Sequence, residues 1–177
     1  MRWIVRIAGA LVLLAVVAVL VGFALPGTYR VERSIVVAAP PGRLYPLVAS
    51  PRRWKDWSMW NRRDPGMAIT WSGPESGAGA GWSWNSRSEG QGRMTFTAAD
   101  PATGVRYTLY FPAWDMSSTG ELRLIPLADG NTRVSWTNVG DLGGNPLRHY
   151  LAAAMDHMVG PDFEAGLANL KAIAEHR

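Results

Sequence analysis

Residues 93–111, RMTFTAADPATGVRYTLYF, decide how the chain is read. Met94, Phe96 and Ala98 share one parity against Arg93, Thr95 and Thr97, and Val105, Tyr107, Leu109 and Phe111 repeat it against Arg106 and Thr108. A period of two with the apolar side chains on one side is the pattern of a strand that buries one face. Asp100-Pro101 through Gly104 supplies the hairpin loop between the two strands. The pattern continues outward. Upstream, Met67, Ile69 and Trp71 share a parity before Gly73-Pro74, and Ala80, Trp82 and Trp84 oppose Ser83 and Asn85. Downstream, Leu122 and Leu124 oppose Glu121 and Arg123. After the turn signal Asp129-Gly130-Asn131, Val134, Trp136 and Asn138 oppose Arg133, Ser135 and Thr137. Tyr29, Val31, Ile35 and Val37 form an earlier strand whose apolar parity is broken only by Arg33. Strands of this kind predict an antiparallel sheet covered on one side.

The cover is sought between Asn145 and Glu175. Leu147, Leu151, Met155 and Met158 recur at helical spacing, followed by Phe163, Leu167, Leu170 and Ala174. Gly160-Pro161 falls between the two runs, and a proline inside a helix removes a donor and crowds the preceding turn, so a kink or restart is expected there. Pro40-Pro41 and Ser50-Pro51 each start a short helix, the first carrying Leu44, Tyr45, Leu47 and Val48, the second Trp54 and Trp57. The fold class is therefore α+β: a curved antiparallel sheet of about seven strands around a long C-terminal helix.

Ile7 to Leu25 is nineteen residues without a charge. As a helix this run reaches roughly 28 Å, close to the hydrocarbon thickness of a bilayer. Arg2 and Arg6 precede it, which favours an inside N-terminus. Arg30 and Arg33 on the far side work against that bias. A cleaved signal peptide is the competing reading, since Gly22-Phe23-Ala24 loosely fits a small-x-small site. The expected layout is a short cytoplasmic N-terminus at 1–6, a transmembrane helix at 7–25 and a soluble domain at 28–177.

Composition narrows the chemistry. The chain of 177 residues is 47% hydrophobic and 18% charged, as expected of a globular domain, and contains no Cys, which excludes disulfides, thiolate metal sites and Cys nucleophiles. The net charge of +4 falls to near balance once Arg2 and Arg6 are set aside, leaving 16 basic against 14 acidic residues. No dense Lys/Arg block points to nucleic acid. Three His without an HExxH pair give no metal-ligand spacing. Gly81-Trp-Ser83-Trp-Asn85 lacks the final Gly of a nucleophile elbow and lies in a strand, and Gly77–Gly81 is not a GxGxxG loop. No cofactor is implied.

One strand, two short helices, a six-stranded meander and a long C-terminal helix is the order of the helix-grip fold. The segments Trp54-Lys-Asp-Trp57-Ser-Met-Trp60 and Met155 through Lys171 resemble the polyketide cyclase/dehydrase branch of the START-like, birch-pollen-allergen-like SRPBCC superfamily. The resemblance spans about Tyr29 to Glu175. It implies a pocket between sheet and helix, but no catalytic motif to transfer, because the superfamily includes lipid carriers, receptors, cyclases and chaperone co-factors. Its many bacterial members make the expected membrane the bacterial inner membrane, crossed once, with the domain on the periplasmic side.

Candidate site residues follow from the ring-rich inner face: Trp57, Trp60, Trp71, Trp82, Trp84, Phe96, Tyr107, Trp136, Asn138 and Met155. Each large ring covers roughly 150–250 Å² whether it fills a core or walls a pocket. Apolar pockets are built from such walls with a few polar groups, here Asn138 and the Tyr107 hydroxyl. The expected partner is a hydrophobic small molecule or lipid. Two alternatives stay open. One is an aromatase/cyclase-type enzyme drawing on Asp115, Glu121, His149, Asp156 or His157. The other is an envelope interaction module for an unidentified protein partner, facing it with Arg43, Arg52, Arg53, Lys55, Arg62 and Arg63, a cluster that also suits anionic lipid headgroups.

Overall fold

The computed structural model describes residues 2–176, so Met1 and Arg177, which bound two of the expected segments, lie outside the described residues. Seven antiparallel strands form one sheet: β1 (Thr28–Val37), β2 (Ala68–Ser72), β3 (Gly81–Ser86), β4 (Gly90–Asp100), β5 (Gly104–Phe111), β6 (Met116–Pro126) and β7 (Thr132–Asp141), in the order β1-β7-β6-β5-β4-β3-β2. Helix α1 (Arg2–Ala24) precedes them, starting earlier than the charge-free run. Helices α2 (Pro41–Val48), α3 (Pro51–Trp57) and α4 (Met59–Arg63) fill the link between β1 and β2, and α5 (Pro146–Glu175) closes the inner face. Pro41 and Pro51 open their helices at a position where the missing N–H costs nothing. The unexpected α4 carries Trp60.

The alternation read from 93–111 is realised except at one point. The register of β4 against β5 slips between Phe96 and Ala98, so Ala98 is exposed and Ala99 packs against the core instead. A bulge inserts one unpaired residue and reverses the parity beyond it.

The C-terminal helix departs further from expectation. It runs unbroken through Pro161. His157, whose carbonyl that proline leaves without its helical donor, is exposed, as is Pro161, so water can solvate the carbonyl. In a continuous helix the stripe Leu147, Leu151, Met155, Met158 and the stripe Phe163, Leu167, Leu170, Ala174 lie on roughly opposite faces at about 100° per residue. The second faces the sheet in full, while of the first only Leu151 and Met155 reach the core. Phe163, Leu167, Leu170 and Ala174 are buried, whereas the first half buries His149 and Ala152 and leaves Leu147 and Met158 exposed.

Arg33, the exception in the parity of β1, fastens sheet to helix. Its guanidinium donates to Asp156 at 2.7 and 3.1 Å and to Glu164 at 2.6 Å, and a side chain at Gly160 would collide with it. Both carboxylates come from α5, one on each side of Gly160.

Candidate functional site

Burial of rings organises the space between sheet and helix. Trp54 sits at the centre, with Trp57, Trp82, Phe96, Tyr107 and Trp136 at centroid distances of 4.7–5.8 Å. Trp136 stacks on Phe163 of α5 at 3.9 Å with planes 4° apart. Three of the buried indole N–H groups find acceptors: Trp54 donates to the Val48 carbonyl at 2.8 Å, Trp57 to the Leu47 carbonyl at 3.1 Å and Trp136 to the Tyr107 hydroxyl at 2.8 Å. This end of the inner space is filled by protein.

Toward the other end a cavity of about 160 Å³ remains. Trp60, Trp82, Trp84, Tyr107, Asn138 and Met155 of the anticipated set line it. Trp57, Phe96 and Trp136 are in the filled core, and Trp71 lies on β2 beneath the Arg52 guanidinium, 5.0 Å from its ring. Sequence reasoning missed Tyr29, Trp54, Met94, Leu109, Phe111, Ser118, Val159 and Phe163 as wall residues. For Ser118 the signal was present: counting back by twos from Leu122 brings Gly120, Ser118 and Met116 to the inner face, and all three are buried.

Glycines shape the walls. Tyr29, Trp84 and Tyr107 stand directly across the ladder from Gly140, Gly92 and Gly120, and a Cβ on any of these glycines would overlap the facing ring. A strand glycine often marks such a close approach. The three rings can therefore lie against the sheet instead of filling the hollow.

Four polar groups meet at one wall. The Tyr29 hydroxyl donates to Asn138 Oδ1 at 3.2 Å, Asn138 Nδ2 donates to Ser118 Oγ at 3.2 Å, and the Tyr107 hydroxyl accepts from Trp136. Burial pushes the phenols of Tyr29 and Tyr107 above the usual tyrosine range, with neighbouring hydrogen bonds pulling weakly the other way. Both stay neutral through the physiological range and serve as hydroxyls, not as phenolate bases. Glu89 also lies at the cavity wall, in an ion pair with Arg63 at 3.1 Å, and Arg63 pairs in addition with Asp162 of α5.

The acid–base candidates are not gathered here. Asp156 is held by Arg33, which keeps its carboxyl below the usual range; Asp115 accepts from Tyr110, and Glu121 pairs with Arg106. His149 binds backbone carbonyls beside α1, and His157 is exposed. The basic cluster is also spoken for in part: Arg53 pairs with Asp56 at 2.7 Å, Arg62 donates to Asn169 at 2.6 Å, and Arg43 reaches the Ala174 carbonyl. Among the described residues no group of three or more His, Cys, Asp and Glu side chains could hold a metal ion. A larger, open groove of about 840 Å³ lies on the outer sheet face, walled by Thr95, Thr108, Ser117, Thr119 and Arg93 together with Tyr110 and Val139.

The family model for polyketide cyclase / dehydrase and lipid transport matches residues 28–175, β1 to the last turn of α5. The chain belongs to that family. The SRPBCC resemblance carried by Trp54–Trp60 and Met155–Lys171 thus holds, and so does the helix-grip fold. None of the curated proteins matches. Solved structures with the same fold include a norcoclaurine synthase point mutant from Thalictrum flavum in complex with a transition-state analogue (11% identity, TM-score 0.64, 83% of this chain and 94% of that one). Ara h 8.0201 is similar at 17% identity and TM-score 0.57 over 82% of this chain and 99% of that one. The Aha1 dimer from Colwellia psychrerythraea is similar at 17% identity and TM-score 0.58 over 82% and 96%. At such identities the likeness is one of fold alone.

Proposed function

We propose that this protein is a membrane-tethered binding domain that holds part of a hydrophobic small molecule or lipid in the cavity between the sheet and α5. The observation that carries the reading is the cavity wall itself: rings and Met side chains on most sides, and a hydrogen-bonded cluster of Tyr29, Tyr107, Ser118 and Asn138 on one. Apolar burial supplies affinity at about 25 cal/mol per Å², and the polar cluster orients a hydroxyl or carbonyl. At about 160 Å³ the hollow is below the range of about 300–1,000 Å³ that encloses a whole drug-sized ligand. It is close to the engineered cavity of about 150 Å³ that admits benzene. One ring or the end of a chain enters, and the remainder of the ligand lies along the mouth.

The tether is α1, whose mean hydropathy over eighteen residues is 2.9, with none of that window buried in the protein. The layout is a cytoplasmic stub at 1–6, a span at 7–25 and the domain from 28 on the far, periplasmic side of a bacterial inner membrane. A cyclase-type enzyme has less support, because Asp115, Glu121, His149 and Asp156 are engaged away from the cavity, His157 is exposed, and Glu89 at the cavity wall is paired with Arg63. Full-length protein in detergent, titrated with fatty acids, phospholipids and polycyclic aromatics, tests the reading through Trp emission and thermal melting. Binding shifts both; a panel that moves neither removes it.

A further inference from the structure

The first half of α5 carries an apolar stripe that the sheet does not use. Leu147, Tyr150, Ala154 and Met158 follow at steps of three or four residues, the spacing of one helix face. Leu147 is 59%, Tyr150 39% and Met158 57% exposed. The acidic side chain in this half, Asp156, points away from the stripe to Arg33, while Arg148 and His157 flank it. Clustered exposed apolar groups of this kind mark a surface that meets a partner.

Helix α1 identifies the partner. The Tyr150 hydroxyl donates to the Ala18 carbonyl at 2.7 Å, and Gly22 packs so closely on Pro146 that a Cβ would overlap the Pro146 carbonyl. His149 lies beside them, its ring nitrogens 2.8 Å from the Gly22 carbonyl and 2.9 Å from the Gly143 carbonyl. Ala18 and Gly22 belong to the charge-free run, and Ala18 is roughly 10 Å from its end at Leu25. A run of nineteen residues must sit almost wholly in the hydrocarbon to cross about 30 Å. Whatever is fastened to Ala18 and Gly22 is therefore carried to bilayer depth. Around the α5 axis, the side facing α1 is followed by Leu147, Ala154 and Met158, then Leu151, then Met155 of the cavity wall.

We infer that the first turns of α5 lie in the interface of the bilayer that α1 crosses, with Leu147 and Met158 against the acyl boundary. This rests on the reading of α1 as a span. The apolar face of the helix enters the headgroup–acyl boundary while Arg148 stays with the headgroups, as in other interfacial helices. The cavity wall at Met155 is thereby brought beside lipid, and the ligand class that fits is a membrane-resident amphiphile.

The absence of native Cys makes single nitroxide labels unambiguous. Leu13→Cys, Leu147→Cys, Met158→Cys and Ala128→Cys are made in the full chain and reconstituted in vesicles of phosphatidylethanolamine and phosphatidylglycerol. Electron paramagnetic resonance then measures the accessibility of each label to oxygen relative to a water-soluble nickel chelate. Ala128, in the exposed β6–β7 turn, is the aqueous reference, and Leu13 the bilayer reference. The expected result is an oxygen-to-nickel ratio at 147 and 158 several-fold above that at 128. Ratios at 147 and 158 equal to that at 128, with 13 in lipid, overturn the inference and leave the anchor standing. An aqueous ratio at 13 overturns the anchor and the inference with it.

Discussion

Replacing Tyr107 with Phe removes one oxygen from the middle of the core and leaves the ring over Gly120 in place. Trp136 is fully buried, and its indole N–H donates to that oxygen at 2.8 Å. Without the acceptor the N–H is stranded, which costs about 1–3 kcal/mol. No cavity term is added beyond a single oxygen, so the loss is the hydrogen-bond cost alone. For a chain of this size, about 2 kcal/mol lowers the melting temperature by roughly 4–8 °C. Urea unfolding of the full chain in detergent, followed by near-ultraviolet circular dichroism, measures it. Trp136→Phe, alone and combined with Tyr107→Phe, completes a double-mutant cycle in which the packing loss at position 136 cancels. A coupling energy of about 1 kcal/mol or more is expected. Coupling near zero, or a Tyr107→Phe variant as stable as the parent, would refute the claim that this bond closes the core.

Four other outcomes follow from the same geometry. Gly120→Ala drives a methyl into the Tyr107 ring, and overpacking of this kind costs about 1–3 kcal/mol in urea unfolding. Trp136→Ala, which removes the ring stacked on Phe163, loses about 3–5 kcal/mol by the same measurement and exposes the inner face to dye binding. Met155→Trp fills the cavity mouth and should abolish ligand-induced changes in melting temperature while keeping the far-ultraviolet spectrum. On the alkaline side, the unfolded chain ionises its tyrosines near pH 10 while burial keeps Tyr29 and Tyr107 protonated, so the folded state holds more protons. Their contribution is complete below about pH 10 and declines as pH rises above it, and Tyr107→Phe flattens that decline.

The strands of this protein are legible in the sequence because alternation is local. Met94 against Thr95, Tyr107 against Thr108 and Trp136 against Thr137 each declare a face within a few residues, and the order of elements followed from those faces with the proline-started helices. The apolar N-terminal run and the long terminal helix were equally plain. What alternation cannot carry is which neighbour fills a face. Tyr107 and Trp84 have the same parity and ring chemistry as Phe96 and Trp136. Yet the first two wall a hollow and the last two are packed solid, because register sets Gly120 and Gly92 opposite the first pair. The bulge after Phe96 exchanged Ala98 for Ala99 through one unpaired residue. The phase of α5 was decided in the same way. Its two apolar stripes each read as core, but a single unbroken helix can turn only one of them fully to the sheet, and Leu147 and Met158 of the other are exposed. Periodicity specifies the side on which a residue stands; the docking of one element on another, set by interlocked rings, glycine gaps and the Arg33 clamp, selects what meets that side.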